Sequence, residues 1–312
     1  MAEARRIVIA GGSGFIGRCL ARWFAGRGDE VVILTRHPQQ GDGPRQVHWD
    51  GRTLGDWARE IEGADTVINL AGKNVNCRYT RKALHEIDQS RVDAVTVMAE
   101  ATNKAERRPR VLIQASTTAI YGHTADDWCD ESQPPGHDTP GSAIPVRTAS
   151  QWEDAFNAHP TPGVRRVLMR ISFVLGKDGG ALQTLARLTR CFLGGAAGNG
   201  KQYISWIHME DCCRIVADAI DHDDMEGTYN LATPFPERNK DFMRELRRAL
   251  HRPWSPPTPA IMVRLGCFLM RTEPVLALTG RRVTPKRLLE RGFEFRYAKL
   301  PEALRAVYGG KN

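Results

Sequence analysis

The chain has 312 residues, 41% hydrophobic and 26% charged, which excludes a disordered composition and is enough for one large or two modest domains with a proper core. Its 44 Lys and Arg against 36 Asp and Glu leave a net charge of +8, but the arginines are scattered without interleaved aromatics, so the charge reads first as general surface character and second as help in drawing in phosphorylated ligands, and nucleic acid is not the expected partner. No uncharged apolar run approaches the roughly 18 residues of a membrane span, no apolar leader precedes the first strand, and seven cysteines without a CxxC pair fit reduced thiols, so a cytoplasmic protein that does not cross a membrane is expected.

Ile7-Val8-Ile9-Ala10 is a β-branched run that suits a strand buried on both faces. Gly11, Gly12, Ser13 and Gly14 follow, and a helix is expected over 15–24 with Gly17 in its first turn. Strand, glycine turn and helix in this order form a phosphate site. The first N–H groups of the helix lack partners within it, its dipole favours an anion, and glycines let a pyrophosphate approach the backbone.

A second strand is expected over 30–36. In NAD-selective folds of this kind an acidic residue stands about 20 residues past the glycines and bonds the ribose 2′-hydroxyl. Here the strand ends Thr35-Arg36-His37, with no carboxylate. A cation there suits the 2′-phosphate of NADP; the alternative is an ordinary exposed arginine at a strand end. Residues 39–43 read as a polar loop and 53–62 as a short helix. Ala64 to Gly72 reads as a third buried strand ending in small residues, which leave room for a ligand beyond the strand ends.

Leu84, Ile87, Val92, Val95 and Met98 recur near helical spacing and predict a long amphipathic helix over 80–103. A further strand is expected over 110–115, followed by Ser116-Thr117-Thr118-Ala119-Ile120-Tyr121-Gly122. Residues 123–146 read as a long loop of the kind that shapes a site. A helix over 147–158 and a strand over 164–171 complete an alternation that argues for an α/β fold, a Rossmann-type doubly wound parallel sheet.

Beyond 171 the pattern changes. Glycine-rich stretches at 176–180 and 194–200 flank a helix over 181–191. Residues 203–207 and 227–231 are strand-like, and a helix over 209–220 is expected to return to the main sheet. Further helices are expected near 239–250, 258–270 and 285–291. The expected division is a dinucleotide-binding domain of residues 1–171 plus about 206–226, and a smaller mixed C-terminal substrate lobe of 172–205 plus 227–312.

Four segments in order carry a resemblance: Gly11 to Gly17, Asn69-Leu70-Ala71-Gly72, Ser116 to Gly122, and Trp206-Ile207-His208-Met209-Glu210-Asp211. Together they resemble the extended short-chain dehydrogenase/reductase superfamily, in its NAD(P)-dependent epimerase/dehydratase group. Gly195 to Asp211 and Pro285 to Leu304 resemble its atypical "epimerase family protein" branch. The resemblance implies that Gly11, Gly12, Ser13, Gly14, Phe15, Ile16 and Gly17 hold a pyrophosphate. It implies that Asn69, Leu70, Ala71 and Gly72 line the cofactor ribose, and that Ser116 or Thr117 supplies the hydroxyl beside the nicotinamide. Arg170, Ser172 and Val174 would approach the nicotinamide from the other side, and Thr35 with Arg36 would stand at the position that selects NADP(H) over NAD(H).

One departure bears on the reaction. The superfamily's catalytic pair is Tyr-x-x-x-Lys, with a Glu four residues after the Lys; the Lys lowers the pKa of the Tyr hydroxyl that relays the proton. With Glu153 in the Glu position, Pro145 and Ala149 occupy the Tyr and Lys positions. The atypical branch shares this loss. Arg147 could bind a ribose or phosphate but is a poor base. Tyr121 is the nearest aromatic hydroxyl and a candidate replacement acid. On the loop after Gly72, Lys73, Cys77, Arg78 and Tyr79 are candidate substrate contacts, with Arg78 suited to an anion. Asn199, Lys201, Gln202 and Trp206 form either a substrate rim or a structural turn. His208, Glu210, Asp211 and Cys212 lack zinc spacing, so no metal is expected and Asp211 is better placed as a helix cap.

The expected function is an NADP(H)-binding oxidoreductase or epimerase with a small-molecule substrate; a homodimer is an assembly the sequence allows. The alternative is a cofactor-binding sensor or scaffold that has lost catalysis.

Overall fold

The computed structural model describes residues 4–136 and 141–309. Residues 137–140 of the expected loop 123–146 lie outside the described residues, as do the first three and last three of the chain. The first half of the chain alternates strands and helices: β1 (Arg6–Ala10), α1 (Phe15–Ala25), β2 (Glu30–Thr35), β3 (Arg45–His48), β4 (Thr66–Asn69), α2 (Arg81–Lys104), β5 (Val111–Thr117), the short β6 (Trp128–Cys129), α3 (Ala143–Ala158) and β7 (Arg165–Ile171). There follow β8 (Phe173–Leu175), α4 (Gly180–Arg190), β9 (Tyr203–Ile204), β10 (Trp206–His208), α5 (Met209–Asp221), β11 (Gly227–Leu231) and β12 (Glu237–Arg238). The chain closes with α6 (Asn239–Ala249), α7 (Ala260–Leu269), α8 (Val275–Leu278), β13 (Arg282–Val283), α9 (Lys286–Glu290) and α10 (Leu300–Tyr308).

Seven strands form one parallel sheet in the order β11-β7-β5-β4-β1-β2-β3. The chain winds outward from β1 in one direction through β2 and β3, then in the other through β4, β5, β7 and β11. The reversal opens a crevice between the carboxyl ends of β1 and β4, where such sheets bind ligands. Strand alternation divides the core into two layers. Ile7, Ile9, Ile33, Ile68 and Ile113 pack with Leu20 and Phe24 of α1 and with Ile215 and Val216 of α5. Val8, Ala10, Leu34, Val67 and Leu112 face the other way, against Val95 and Met98 of α2 and Trp152 and Phe156 of α3. A third cluster unites Phe242 and Leu246 of α6, Leu182 of α4, and Leu300, Ala303 and Leu304 of α10.

The doubly wound α/β sheet expected from the sequence is present. Strand β3 is an addition: Arg-Gln-Val-His has one apolar residue, and an edge strand needs no periodic signal once β2 offers it hydrogen bonds. Helix α3 begins at Ala143 rather than 147, because Pro145 falls in its first turn, where no N–H is required. Gly227–Leu231, assigned to the smaller lobe from sequence, is instead the edge strand of the main sheet, paired in parallel with β7. Leu288, Phe293 and Phe295, from the same C-terminal half, also pack on the α1–α5 layer. The short helix expected at 53–62 is a single 3₁₀ stretch, Asp56–Glu60. Among the described residues no helix is long and apolar enough to cross a membrane.

Candidate functional site

The glycine turn lies at the carboxyl end of β1. Gly11 has φ +74°, a backbone state that a Cβ disfavours, and its N–H donates to the Leu34 carbonyl at 3.0 Å. A Cβ on Gly12 would meet the Ile33 side chain at 2.8 Å. One on Gly17 would lie 2.5 Å from the Gly12 α-carbon and 2.7 Å from the Gly11 carbonyl, so Gly17 lets α1 sit directly against the turn. Gly14 is the N-cap, with no side-chain cap and no acidic residue in the first turn of α1. The N–H groups opening α1 are therefore available to an anion. Phe15 does not face that anion site with its ring. Its ring packs on the 176–180 loop, where a Cβ on Gly176, Gly179 or Gly180 would come within 2.7–2.9 Å of it. Ile16 lies in the first turn and packs against the α1–α5 layer.

At the end of β2, the buried Thr35 hydroxyl donates to Ser13 Oγ at 3.0 Å, tying the strand end to the glycine turn. Arg36 follows it and is exposed, with no hydrogen bond or ion pair to another described residue.

At the end of β4, the fully buried Asn69 acts on its own turn rather than outward. Its Oδ1 accepts from the Ala71 N–H at 3.1 Å, and its Nδ2 donates to Gln114 Oε1 at 2.9 Å. The turn it shapes touches the glycine loop, since a Cβ on Gly11 would lie 3.0 Å from the Ala71 nitrogen and the Leu70 carbonyl carbon. Leu70 and Ala71 are part-buried, and Gly72 packs on the Arg91 guanidinium.

The end of β5 separates the two candidate hydroxyls. Ser116 is 3% exposed and donates to Glu153 Oε1 at 2.6 Å. Thr117, the next residue and thus on the opposite side of the strand, is half-buried, and its Oγ1 accepts from the Ala119 N–H at 3.1 Å.

Glu153 belongs to a buried network that the sequence pattern did not reveal. Arg170 grips it at two points, Nε to Oε1 at 3.0 Å and Nη2 to Oε2 at 2.8 Å, and Arg170 Nη1 donates to the Tyr121 hydroxyl at 2.8 Å. That hydroxyl in turn lies 2.9 Å from two acceptors, the Asp130 carbonyl and Asn230 Oδ1. Burial disfavours the Arg170 charge, but hydrogen bonding and attraction from Glu153 outweigh it and raise the pKa above the ordinary arginine value. Burial likewise pushes Tyr121 up to about 12 against the pull of Arg170. The Arg170 guanidinium is thus engaged by Glu153 and Tyr121, and the Tyr121 hydroxyl is buried among three hydrogen-bond partners. The only advance signal was the Glu left standing where the catalytic pair is missing.

The positions of that pair are apolar in structure as well as sequence. Ala149 is fully buried with Ile120, Tyr121, Cys129 and Val283. Arg147 is committed to Asp88 at 2.9 Å, and the neighbouring Thr148 donates to the same carboxylate at 2.6 Å.

On the far side, Ser172 uses its Oγ to donate to the Leu231 carbonyl at 2.7 Å, and Val174 is buried in the core. Three of the candidate rim residues, Asn199, Gln202 and Trp206, make internal contacts. Gln202 Nε2 donates to the Ala197 and Ala277 carbonyls at 3.0 and 2.9 Å, and Trp206 is fully buried. Asn199 Oδ1 accepts from the Lys201 N–H at 2.9 Å. Lys73 is paired with Glu86. Arg78 lies 4.2 Å over the Phe268 ring and donates to the Phe268 carbonyl, which docks the 73–79 loop on α7. The N-cap of α5 is His208, whose Nδ1 accepts from the Glu210 N–H at 3.2 Å. Asp211, fully buried, instead holds the Arg296 and Tyr297 N–H groups at 2.9 Å each.

This geometry has close counterparts. The family described as NAD dependent epimerase/dehydratase matches residues 7–232, and a domain of unknown function (DUF1731) matches residues 258–307. An epimerase family protein of Staphylococcus haemolyticus is 33% identical over 304 residues, covering 95% of this chain and 96% of its own. The epimerase family protein SDR39U1 of Bos taurus is 31% identical over 306 residues, covering 97% and 99%. The crystal structure of human epimerase family protein SDR39U1 (isoform 2) with NADPH superposes with a TM-score of 0.87 at 29% identity, over 98% of this chain and all of that one.

Proposed function

Because the chain belongs to the NAD dependent epimerase/dehydratase family, we propose that it binds NADP(H) in preference to NAD(H) and acts as an oxidoreductase or epimerase without the Tyr-x-x-x-Lys pair. The observation that carries the cofactor preference is Arg36, exposed and unpaired among the described residues at the end of β2, where NAD-selective folds place a carboxylate. The NADPH in the related human structure supports the same choice. The residues present fit the dinucleotide. A Cβ at Gly12 would meet the Ile33 side chain and one at Gly17 would collide with the turn, and the uncapped α1 N-terminus offers N–H donors and no competing carboxylate.

When bound, the cofactor supplies hydride chemistry at its nicotinamide. The chain supplies the rest. Gly11 to Gly17 hold the pyrophosphate, and Arg36 takes the 2′-phosphate. Thr117, rather than the buried Ser116, orients the oxygen of a small-molecule substrate. The proton passes to or from water or a side chain beyond those assigned above. A second reading has its own support. Pro145, Ala149 and the engaged Tyr121 hydroxyl leave no tyrosine–lysine pair, which favours a cofactor-binding sensor or scaffold.

Calorimetric titration with NADPH and NADH tests the cofactor, and equal affinities would overturn the preference. A substrate screen followed by nicotinamide absorbance separates enzyme from sensor: robust turnover ends the sensor reading.

A further inference from the structure

Arg91 of α2 is a second arginine that makes no ion pair with another described residue. Its Nη1 donates to the Lys73 carbonyl at 3.0 Å and to the Ile87 carbonyl at 2.9 Å. Its guanidinium lies against Gly72, where a Cβ would come within 3.1 Å of the Arg91 Cζ. It also sits over the Trp152 ring of α3, 4.9 Å from the centroid. Nearby Asp88 is occupied by Arg147 and Thr148. Nε and Nη2 have no partner among the described residues, and neither is a buried orphan. Burial pulls the Arg91 pKa below the ordinary arginine value, so the fold bears a cost for a charge that the nearby Asp88 offsets only in part.

The strand order says what lies beside this charge. A dinucleotide whose adenosine end is at β2 and whose pyrophosphate is at the α1 N-terminus runs on across β1 toward β4 and β5. Its second ribose then falls at the Asn69–Gly72 turn, against which Arg91 is packed. Trp152, under the guanidinium, lies one helical turn along α3 from Ala149, which stands where the superfamily's lysine is missing. We propose that Arg91 donates from its free edge to the nicotinamide-side ribose hydroxyls, restoring from α2 the cation that α3 has lost. A guanidinium can do this as a donor and fixed charge, but not as a titrating base. The assignment rests on the NADP(H) reading above.

The test uses the full chain and two probes, NADPH and adenosine 2′,5′-bisphosphate. The second contains the adenosine and 2′-phosphate but not the nicotinamide ribose. Arg91→Met is expected to weaken NADPH at least about tenfold, within the range of a charged hydrogen bond, and to leave the bisphosphate unchanged. Arg91→Lys should recover part of the loss. Equal weakening of both probes would mean that Arg91 only braces the Gly72 turn, and no weakening would mean that it does not touch the cofactor; either result overturns the assignment. Wild-type chain that binds NADPH but not the bisphosphate would count against the placement of adenosine at β2, on which the assignment depends. If wild-type chain binds neither probe, the NADP(H) reading itself fails.

Discussion

Glu153 and Arg170 face each other across the buried side of β7 and α3, each 7% exposed, in a two-point ion pair 2.8 and 3.0 Å long. The pair links Ser116 on β5 to Tyr121 and, through it, to Asn230 on β11. It occupies the ground beside the missing catalytic residues. Removing one partner leaves the other charge buried. Glu153→Ala is therefore expected to cost about 3–5 kcal/mol in urea unfolding, while the joint Glu153→Leu and Arg170→Met change costs less than either single change.

Tyr121 gives that network a pH signature. Unfolded tyrosine ionises near pH 10, and folded Tyr121 near 12. The neutral phenol favours the folded state, so its contribution is complete below about pH 10 and is lost as pH rises toward about 12. Tyr121→Phe lowers stability at neutral pH, since Arg170 loses an acceptor. Unfolding midpoints between pH ~8 and ~11 should fall less steeply in that variant than in the wild type.

Gly17→Ala drives a methyl group into the backbone of the Gly11–Gly12 turn, which cannot move aside as a flexible side chain would. The expected outcome is a stability loss of about 1–3 kcal/mol together with loss of NADPH binding. A variant that kept both would mean that α1 can be displaced without cost.

Arg36→Ala removes one exposed charge and no contact to another described residue, so stability should be unchanged. NADPH affinity should fall by roughly 10- to 100-fold and NADH affinity stay level, which is the worth of about 1.5–3 kcal/mol for a charged hydrogen bond. Calorimetry on both cofactors reads this directly.

The two hydroxyls of β5 should part company. Ser116→Ala leaves Glu153 short of a donor and should cost about 1–3 kcal/mol of stability. Thr117→Val keeps the shape of the half-buried residue and should abolish any turnover found in the substrate screen while leaving NADPH affinity intact. Turnover retained in Thr117→Val would remove Thr117 from the reaction.

The sequence by itself determined the parallel sheet, the crevice at the glycine turn and the absence of the Tyr/Lys pair. These are written in local patterns: β-branched runs, glycines at fixed spacing, and residue identities at two helix positions. It did not determine edge strand β3, whose polar residues pair only because β2 is beside them. Nor did it place Gly227–Leu231 in the main sheet, since a short strand carries no mark of which neighbour will accept its hydrogen bonds. The division of labour among polar side chains belonged wholly to the tertiary structure. Arg36, Arg91 and Arg170 are the same residue type in sequence. One is left exposed, one is half-buried with its hydrogen bonds to backbone carbonyls, and one is consumed by Glu153, because burial and partners arise from packing between segments far apart in the chain.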